Sequence, residues 1–406
     1  MTSILSPDDL LRLRVHALGL CVQPGAQARG VGSGTAAART TESGPARIAE
    51  TAQRMLAVQG QDWRSARWAL GVRTPGTTVA DVHAAFSEAR IVRSWPMRGT
   101  IHVVAAEDIG WMQTALNHRV LAGAPKRRET IGLGDATLDR IVDVSLAALR
   151  GGNALDRDGL SAVWTDAGIE WQSGWRYHVI WWLCQNGLTT FGPVHDSGEP
   201  LLVRADEWIT SPRTLTGDDA LGELACRYTA ARGPVTEKDF AWWTGLTVRE
   251  ARRALALTAE AGGVIPVRLN DASGPQYWVT PETLGTILPA SRSTPQLSEW
   301  LLLPAFDEHL LGYTDRAAQL DPAHFDRIVP GRNGMFLATV VSDGRVRGTW
   351  RRGQRIGSGI ELTALPGERV DPSALMPELA RWCEFHGFAP LTFDLQETPK
   401  PQISGT

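Results

Sequence analysis

The apolar pattern of this chain recurs, and that recurrence limits the folds open to it. Between residues 46 and 280 one order is met three times: two or three helical segments, then two short strands. In the first stretch residues 46–58 read as a helix, and Thr78 caps another that carries Val82, Phe86 and Ala89 at helical spacing. Residues 91–95 then pair with 98–104 across a turn at Pro96 and Met97, and a fresh helix starts near Glu107 and Asp108. The second stretch has helices at 138–149, 158–167 and 174–185, stopped by Asn186-Gly187, and strands at 188–191 and 201–204. The third has helices at 221–231, 236–243 and 248–261 and strands at 264–268 and 277–280, with Thr236 and Asp239 spaced as an N-terminal cap.

Helices followed by a two-stranded ribbon make the winged-helix arrangement, a helix-turn-helix with a β wing. The three stretches define units at 1–125, 126–212 and 213–296. From Glu299 the texture changes to short β-rich runs at 301–304, 336–341, 345–350 and 359–362, with Ser342-Asp343-Gly344 as a hairpin turn. With a helix at 372–386 and a strand at 391–393, region 297–396 reads as a small β-barrel. Residues 23–45 are mostly Gly, Ala, Ser, Thr and Gln without apolar anchors and read as a flexible loop, and the tail after Glu397 reads as disordered. The expected class is α+β: three tandem winged-helix units with a C-terminal β-barrel.

Composition removes several functions. No apolar run reaches the roughly 18 residues of a membrane span, and Asp8 and Asp9 stand where a secretory signal would be basic. Cys21, Cys184, Cys226 and Cys383 are far apart, which argues against a zinc cage or a disulfide framework. A cytoplasmic protein with no metal and no cofactor is expected. A formal net charge of −3 excludes a generally basic DNA coat, but an enzyme can gather positive charge on one face. Of 41 basic residues only Lys126, Lys238 and Lys400 are lysine, which leaves little for amine chemistry.

Gln59-Gly60-Gln61 follows the first helix. Two glutamines one residue apart can aim two amides at one point, each with a donor and an acceptor, and so orient a water; a polar loop after a helix is the plainer reading. Arg345, Arg347, Arg351, Arg352 and Arg355 lie around the predicted hairpin, suited either to phosphate oxygens or to guarding a sheet edge. Trp171, Trp175, Trp181, Trp182, Trp242 and Trp243 have spacings that fit core packing better than base stacking. His102 and His178 read as partly buried histidines or general bases. Asp307 and Glu308 read as a carboxylate pair, catalytic or bound to backbone. There is no Gly-rich phosphate loop, no GxSxG and no HExxH.

Four segments taken together resemble the bacterial winged-helix DNA glycosylases of the AlkZ/YcaQ type. They are Ala57-Val-Gln-Gly-Gln-Asp62; Trp95-Pro-Met-Arg-Gly-Thr-Ile-His-Val-Val104 with Glu107 and Asp108; Arg227-Tyr228 with Gly233-Pro-Val-Thr-Glu-Lys-Asp-Phe240 and Trp243-x-Gly245-Leu; and Leu302-Leu-Pro-Ala-Phe-Asp-Glu308 with Gly312-Tyr-Thr-Asp-Arg316, Asn333-Gly and Gly344-Arg-Val-Arg-Gly-Thr-Trp-Arg-Arg352. The resemblance implies three winged helices and a barrel around a DNA-binding cleft. It also implies a monofunctional enzyme that hydrolyses the N-glycosidic bond of N-alkylated purines, especially bulky N7-alkylguanine adducts and interstrand crosslinks, in repair or in self-resistance to a genotoxin. Gln59 and Gln61 would take the places of the family's two catalytic glutamines. Arg98, His102, Arg316, Asn333, Arg345, Arg347, Arg351 and Arg352 would contact double-stranded DNA, the partner of a monomer with one cleft. Gly60 stands where the family has an aliphatic residue, which is expected to loosen that backbone. The 23–45 insertion is longer than the connection expected there. A non-catalytic winged-helix DNA-binding protein, a regulator or lesion shield, shares the fold and the arginines but needs no paired glutamines.

Overall fold

Side-chain caps start several helices at the residues whose chemistry favours them. The structure, a computed structural model, describes residues 3–21, 42–287, 297, 300–353 and 359–396. The chain begins with β1 (Ser3–Leu5), α1 (Pro7–Ala17), α2 (Gly44–Met55), β2 (Val58–Gln59), α3 (Trp63–Gly71), α4 (Val79–Ser87), β3 (Ile91–Met97), β4 (Thr100–Ala105) and α5 (Ile109–Leu116). It continues with α6 (Asp135–Ala148), α7 (Arg157–Asp166), α8 (Ser173–Gln185), β5 (Thr189–Val194) and β6 (Pro200–Arg204). Then come α9 (Gly217–Arg232), α10 (Glu237–Thr244), α11 (Val248–Glu260), β7 (Ile265–Leu269) and β8 (Gln276–Val279). The C-terminal part holds β9 (Leu301–Leu303), β10 (Thr339–Ser342), β11 (Arg345–Arg352), β12 (Ile360–Ala364), α12 (Met376–His386) and β13 (Phe393–Gln396). Reciprocal capping boxes at Ser6/Asp9, Thr78/Asp81, Thr236/Asp239 and Thr247/Glu250 fix the first turns of α1, α4, α10 and α11.

Two local expectations are corrected. The helix expected over 46–58 stops at Met55, because Leu56 takes a positive φ of 63° and turns the chain into β2. The turn expected at Pro96 and Met97 lies instead at Arg98 and Gly99, with φ of 54° and 65°. Pro96 stays in β3, where the register with β4 shifts between Ser94 and Met97, an irregularity that tolerates a missing N–H. Of the loop expected over 23–45, residues 23–41 lie outside the described residues, as do Arg355 and the tail from residue 397, while Gly44 and Pro45 open α2.

Among the described residues the strands form three sheets, and the fold is mixed α+β. One sheet has the order β2-β4-β3-β5-β6, so the ribbons of the first two stretches are joined through Arg93 opposite Phe191 rather than standing as separate wings. A second, β1-β7-β8, adds the N-terminal strand parallel to the third ribbon. The C-terminal sheet, β13-β12-β11-β10-β9, is open, so the expected barrel does not close among the described residues. Its apolar face is covered by α12 instead of by itself: Leu379, Trp382 and Cys383 share a core with Val340, Ile360 and Leu362, and Trp382 meets Trp350 edge-on at 5.8 Å. That core also takes in α2, α3, α9, α10 and β9. The second stretch has its own core around Leu138, Trp164 and Val179, joined by Trp95 and Ile101. Trp175 and Trp243 are buried, in line with core packing. Among the described residues no helix is long and apolar enough to cross a membrane.

Candidate active site

Strand pairing and two hydrogen bonds at Gly60 define the Gln59-Gly60-Gln61 backbone. β2 pairs antiparallel with β4, Val58 opposite Val103 and Gln59 opposite His102, and the Gly60 N–H donates to the Ile101 carbonyl at 2.8 Å. The Gly60 carbonyl in turn accepts from Arg93 Nε at 2.8 Å. Alternate residues of extended chain share a face, and the two amides meet: Gln59 Nε2 donates to Gln61 Oε1 at 3.5 Å. Gln59 is 8% exposed, whereas Gln61 is open to solvent and lines a cleft of about 700 Å³ between the start of α3 and the second stretch. Gly60 does not loosen this backbone. A Cβ there would sit 3.1 Å from the His102 main chain, so glycine permits close approach of β2 to β4 while both its polar groups are held.

The segment entering β2 is anchored from the far side of the core. Arg232 at the end of α9 donates to the carbonyls of Met55 and Ala57 at 3.0 Å each, and to Glu308 at 2.7 and 2.9 Å. Trp243 Nε1 also donates to Glu308, at 3.0 Å. Asp307 takes both terminal nitrogens of Arg73 at 2.8 Å. The two carboxylates are therefore parts of buried ion pairs that tie β9's end to the helices.

His102, expected as a DNA contact, is 0% exposed and so presents no surface to a ligand in this structure. Its Nδ1 lies 2.8 Å from the Thr100 carbonyl, and Nε2 has no hydrogen-bond partner among the described residues. Burial, with Arg98 nearby, pushes its pKa down to about 3. Burial likewise pushes His309, whose Nε2 lies 2.9 Å from the Gly344 carbonyl, down to about 4. Both stay neutral in the fold while an unfolded chain takes up protons near pH 6.5. Below that pH the unfolded state binds more protons, so stability is lost as pH falls from about 6.5 to about 4, by roughly 1.4 kcal/mol per pH unit for each ring. Glu378, raised by burial, works in the opposite sense. A melting temperature level above about pH 7 and falling steadily towards pH 4.5 is the expected measurement.

The other residues expected at DNA each have partners within the protein. Arg98 lies over the Trp242 ring at 5.0 Å, and Arg316 over the same ring at 5.3 Å while donating to the Leu310 carbonyl at 2.7 Å. Asn333 is exposed and accepts from the Met335 N–H at 3.0 Å. Arg345 bonds the Ala318 carbonyl at 3.1 Å and faces Asp8 at 3.6 Å. Arg347 pairs with Glu368 at 2.7 Å, Arg351 with Glu361 at 2.6 Å, and Arg352 lies over Phe388 at 4.2 Å. Most of the β11 arginines are thus engaged with partners along the whole strand, and none of them lines the cleft beside Gln61. The arginines that do are Arg64, Arg93 and Arg157, which the sequence reading missed. An arginine inside the apolar strand Ile91-Val-Arg-Ser-Trp95 was the signal that could have found one of them.

A mixed α+β chain with a pinned glutamine pair at the edge of a cleft is matched over residues 52–385 by the family model "DNA glycosylase AlkZ-like", and the chain belongs to that family. It is a DNA glycosylase, as the resemblance of its motifs led one to expect. Among its relatives, an "Interstrand DNA cross-link repair glycosylase" of Streptomyces sahachiroi is 23% identical over 350 residues, covering 83% of this chain and 90% of the relative. The solved structure of "Streptomyces sahachiroi DNA glycosylase AlkZ" matches with a TM-score of 0.73 at 20% identity, over 97% of this chain and all of that one, a likeness of fold.

Proposed function

We propose that this glycosylase hydrolyses the N-glycosidic bond of N-alkylated purines in double-stranded DNA, bulky N7-alkylguanine adducts and interstrand crosslinks in particular. Gln59 and Gln61 hold the attacking water. The observation that carries this reading is the 3.5 Å contact between two amides on a backbone held at both polar groups of Gly60. An N7-alkylated guanine already bears positive charge and leaves without a general acid. The protein need only place a water and favour an oxocarbenium-like sugar, which neutral amides can do. The "cross-link repair" in the relative's name supports the substrate class. With only three lysines in the chain, none near Gln59, a Schiff-base lyase step lacks its amine, and an abasic site is left. The three helix groups with their ribbons serve as winged-helix supports of one DNA cleft. The protein works as a monomer in the cytoplasm, and resistance of its host to a DNA-alkylating compound is the role that fits bulky adducts.

The test is base release from a duplex carrying one N7-alkylguanine, run beside a crosslinked duplex. Free modified base with strand breaks only after alkali is expected. Breaks before alkali overturn the monofunctional mechanism, and binding without release turns the assignment to a non-catalytic DNA-binding protein.

A further inference from the structure

The cleft beside Gln61 brings together three arginines that the glutamine chemistry does not use. It is lined by the first residues of two helices, Trp63 and Arg64 of α3 and Arg157 of α7, together with Arg93 of β3. Helix N-termini present unpaired N–H groups and the positive end of the peptide dipoles. The carboxylates around the cleft are mostly committed elsewhere. Asp62 accepts from the Ser65 N–H at 2.9 Å and Asp156 from the Gly159 N–H at 2.6 Å, each capping its own helix. Asp158 pairs with Arg176 at 2.5 Å, and Glu199 lies exposed at the rim with His195. No ion pair among the described residues involves Arg64, Arg93 or Arg157, in contrast to the β11 arginines, three of which face carboxylates.

Arg93 is the unusual member. It is 5% exposed, its guanidinium lies 5.8 Å from the Trp63 ring and 5.6 Å from that of Phe191, and its Nε is spent on the Gly60 carbonyl. Among the described residues its two terminal nitrogens make no hydrogen bond, and Glu199 and Asp62 act on them only through space. They open to the cleft, where an anion would be received by a guanidinium whose body is already fixed. Burial and the nearby charge of Arg157 press its pKa down to about 10, a direction that a bound anion would reverse.

We propose that Arg64, Arg93 and Arg157 form a phosphate site that grips the DNA backbone beside the lesion, and that Arg93 links the bound phosphate to the Gly60 carbonyl and so to the glutamine pair. This rests on DNA being the substrate, and it goes beyond the chemistry assigned to Gln59 and Gln61. Guanidinium forks suit phosphate oxygens, and the helix starts bring Arg64 and Arg157 to the same cleft as Arg93. Arg64 and Arg157 supply affinity. Arg93 is a positioning residue, since it acts on the reaction through Gly60.

The experiment measures binding of unmodified duplex DNA across a range of salt concentrations, and single-turnover base release at saturating alkylated DNA. For Arg64→Gln with Arg157→Gln, both exposed and so without consequence for folding, affinity is expected to fall roughly tenfold for modified and unmodified duplex alike. The slope of log K against log salt is expected to shrink by about 1. For Arg93→Lys, which keeps the charge but loses the fork and its bond to Gly60, saturating release is expected to fall more than affinity does. Unchanged affinity and unchanged slope in the double variant overturn the phosphate site. Equal losses of release and affinity for Arg93→Lys, or a lower melting temperature that accounts for both, overturn the link to Gly60. The failures are separable: if the unaltered protein releases no base but the slope shift is seen, the phosphate site stands and the glutamine chemistry falls.

Discussion

Glu308→Ala is expected to be among the most destabilising single substitutions in this protein, at about 3–5 kcal/mol. The carboxylate is 2% exposed and receives two hydrogen bonds from Arg232 and one from Trp243. Removing it leaves a fully buried guanidinium, stacked 4.3 Å from the Trp243 ring, with no compensating charge. Two backbone carbonyls, at Met55 and Ala57, remain to it, and neither neutralises a cation. Against a typical total stability of about 5–15 kcal/mol this is a large fraction. Spread over a chain of this length it corresponds to a fall in melting temperature of roughly 4–6 °C. The loss is expected to reach the site as well. Arg232 holds the segment that leads into β2, so an altered Arg232 moves Gln59. Glu308→Gln keeps the shape and one acceptor and is expected to lose less. Thermal denaturation of the two variants ranks them, and a Glu308→Ala protein as stable as the parent rules out the anchoring role.

This network shows what could be read from the chain and what could not. Helix positions were legible because capping and apolar spacing are local: Thr78 and Thr236 cap where their sequence says they should. The paired glutamines were legible because a two-residue spacing in extended chain fixes a common face. The role of Asp307 and Glu308 was not, since their partners Arg73 and Arg232 are 234 and 76 residues away in sequence. Sheet closure is also a long-range property. Each ribbon was visible, but nothing local to Arg93 or Phe191 says that their strands pair, and nothing in the C-terminal strands says that α12 covers them. For His102 the residues themselves read as a partly buried histidine and only the resemblance implied a DNA contact; its full burial depends on what packs on the face of the sheet, which is again a long-range property. The arginines followed the same rule. Clustering in sequence on β11 produced separate ion pairs, while Arg64, Arg93 and Arg157, scattered in sequence, line one cleft.

Replacing both glutamines by alanine is expected to slow single-turnover base release by about 10²–10³-fold, a few kcal/mol of transition-state stabilisation at 1.36 kcal/mol per decade. The singles are expected to lose nearly as much as the double, because two amides that hold one water fail together. Their effects on stability should differ. Gln61 is exposed, so Gln61→Ala should fold as well as the parent, whereas Gln59 is buried and its truncation leaves space beside β4. Gln61→Ala is therefore the cleaner probe: release falls while melting temperature and affinity for unmodified duplex hold. Amides do not titrate, and the neighbouring His102 is already neutral well above its depressed pKa of about 3. Release by the parent is therefore expected to be level between about pH 6 and 8, without the limb a general-base histidine gives near 6.5. A steep rise through that range, or a double variant that still releases base at the parent's rate, would show that some other group holds the water, and the glutamine pair would then be only the polar end of a short strand.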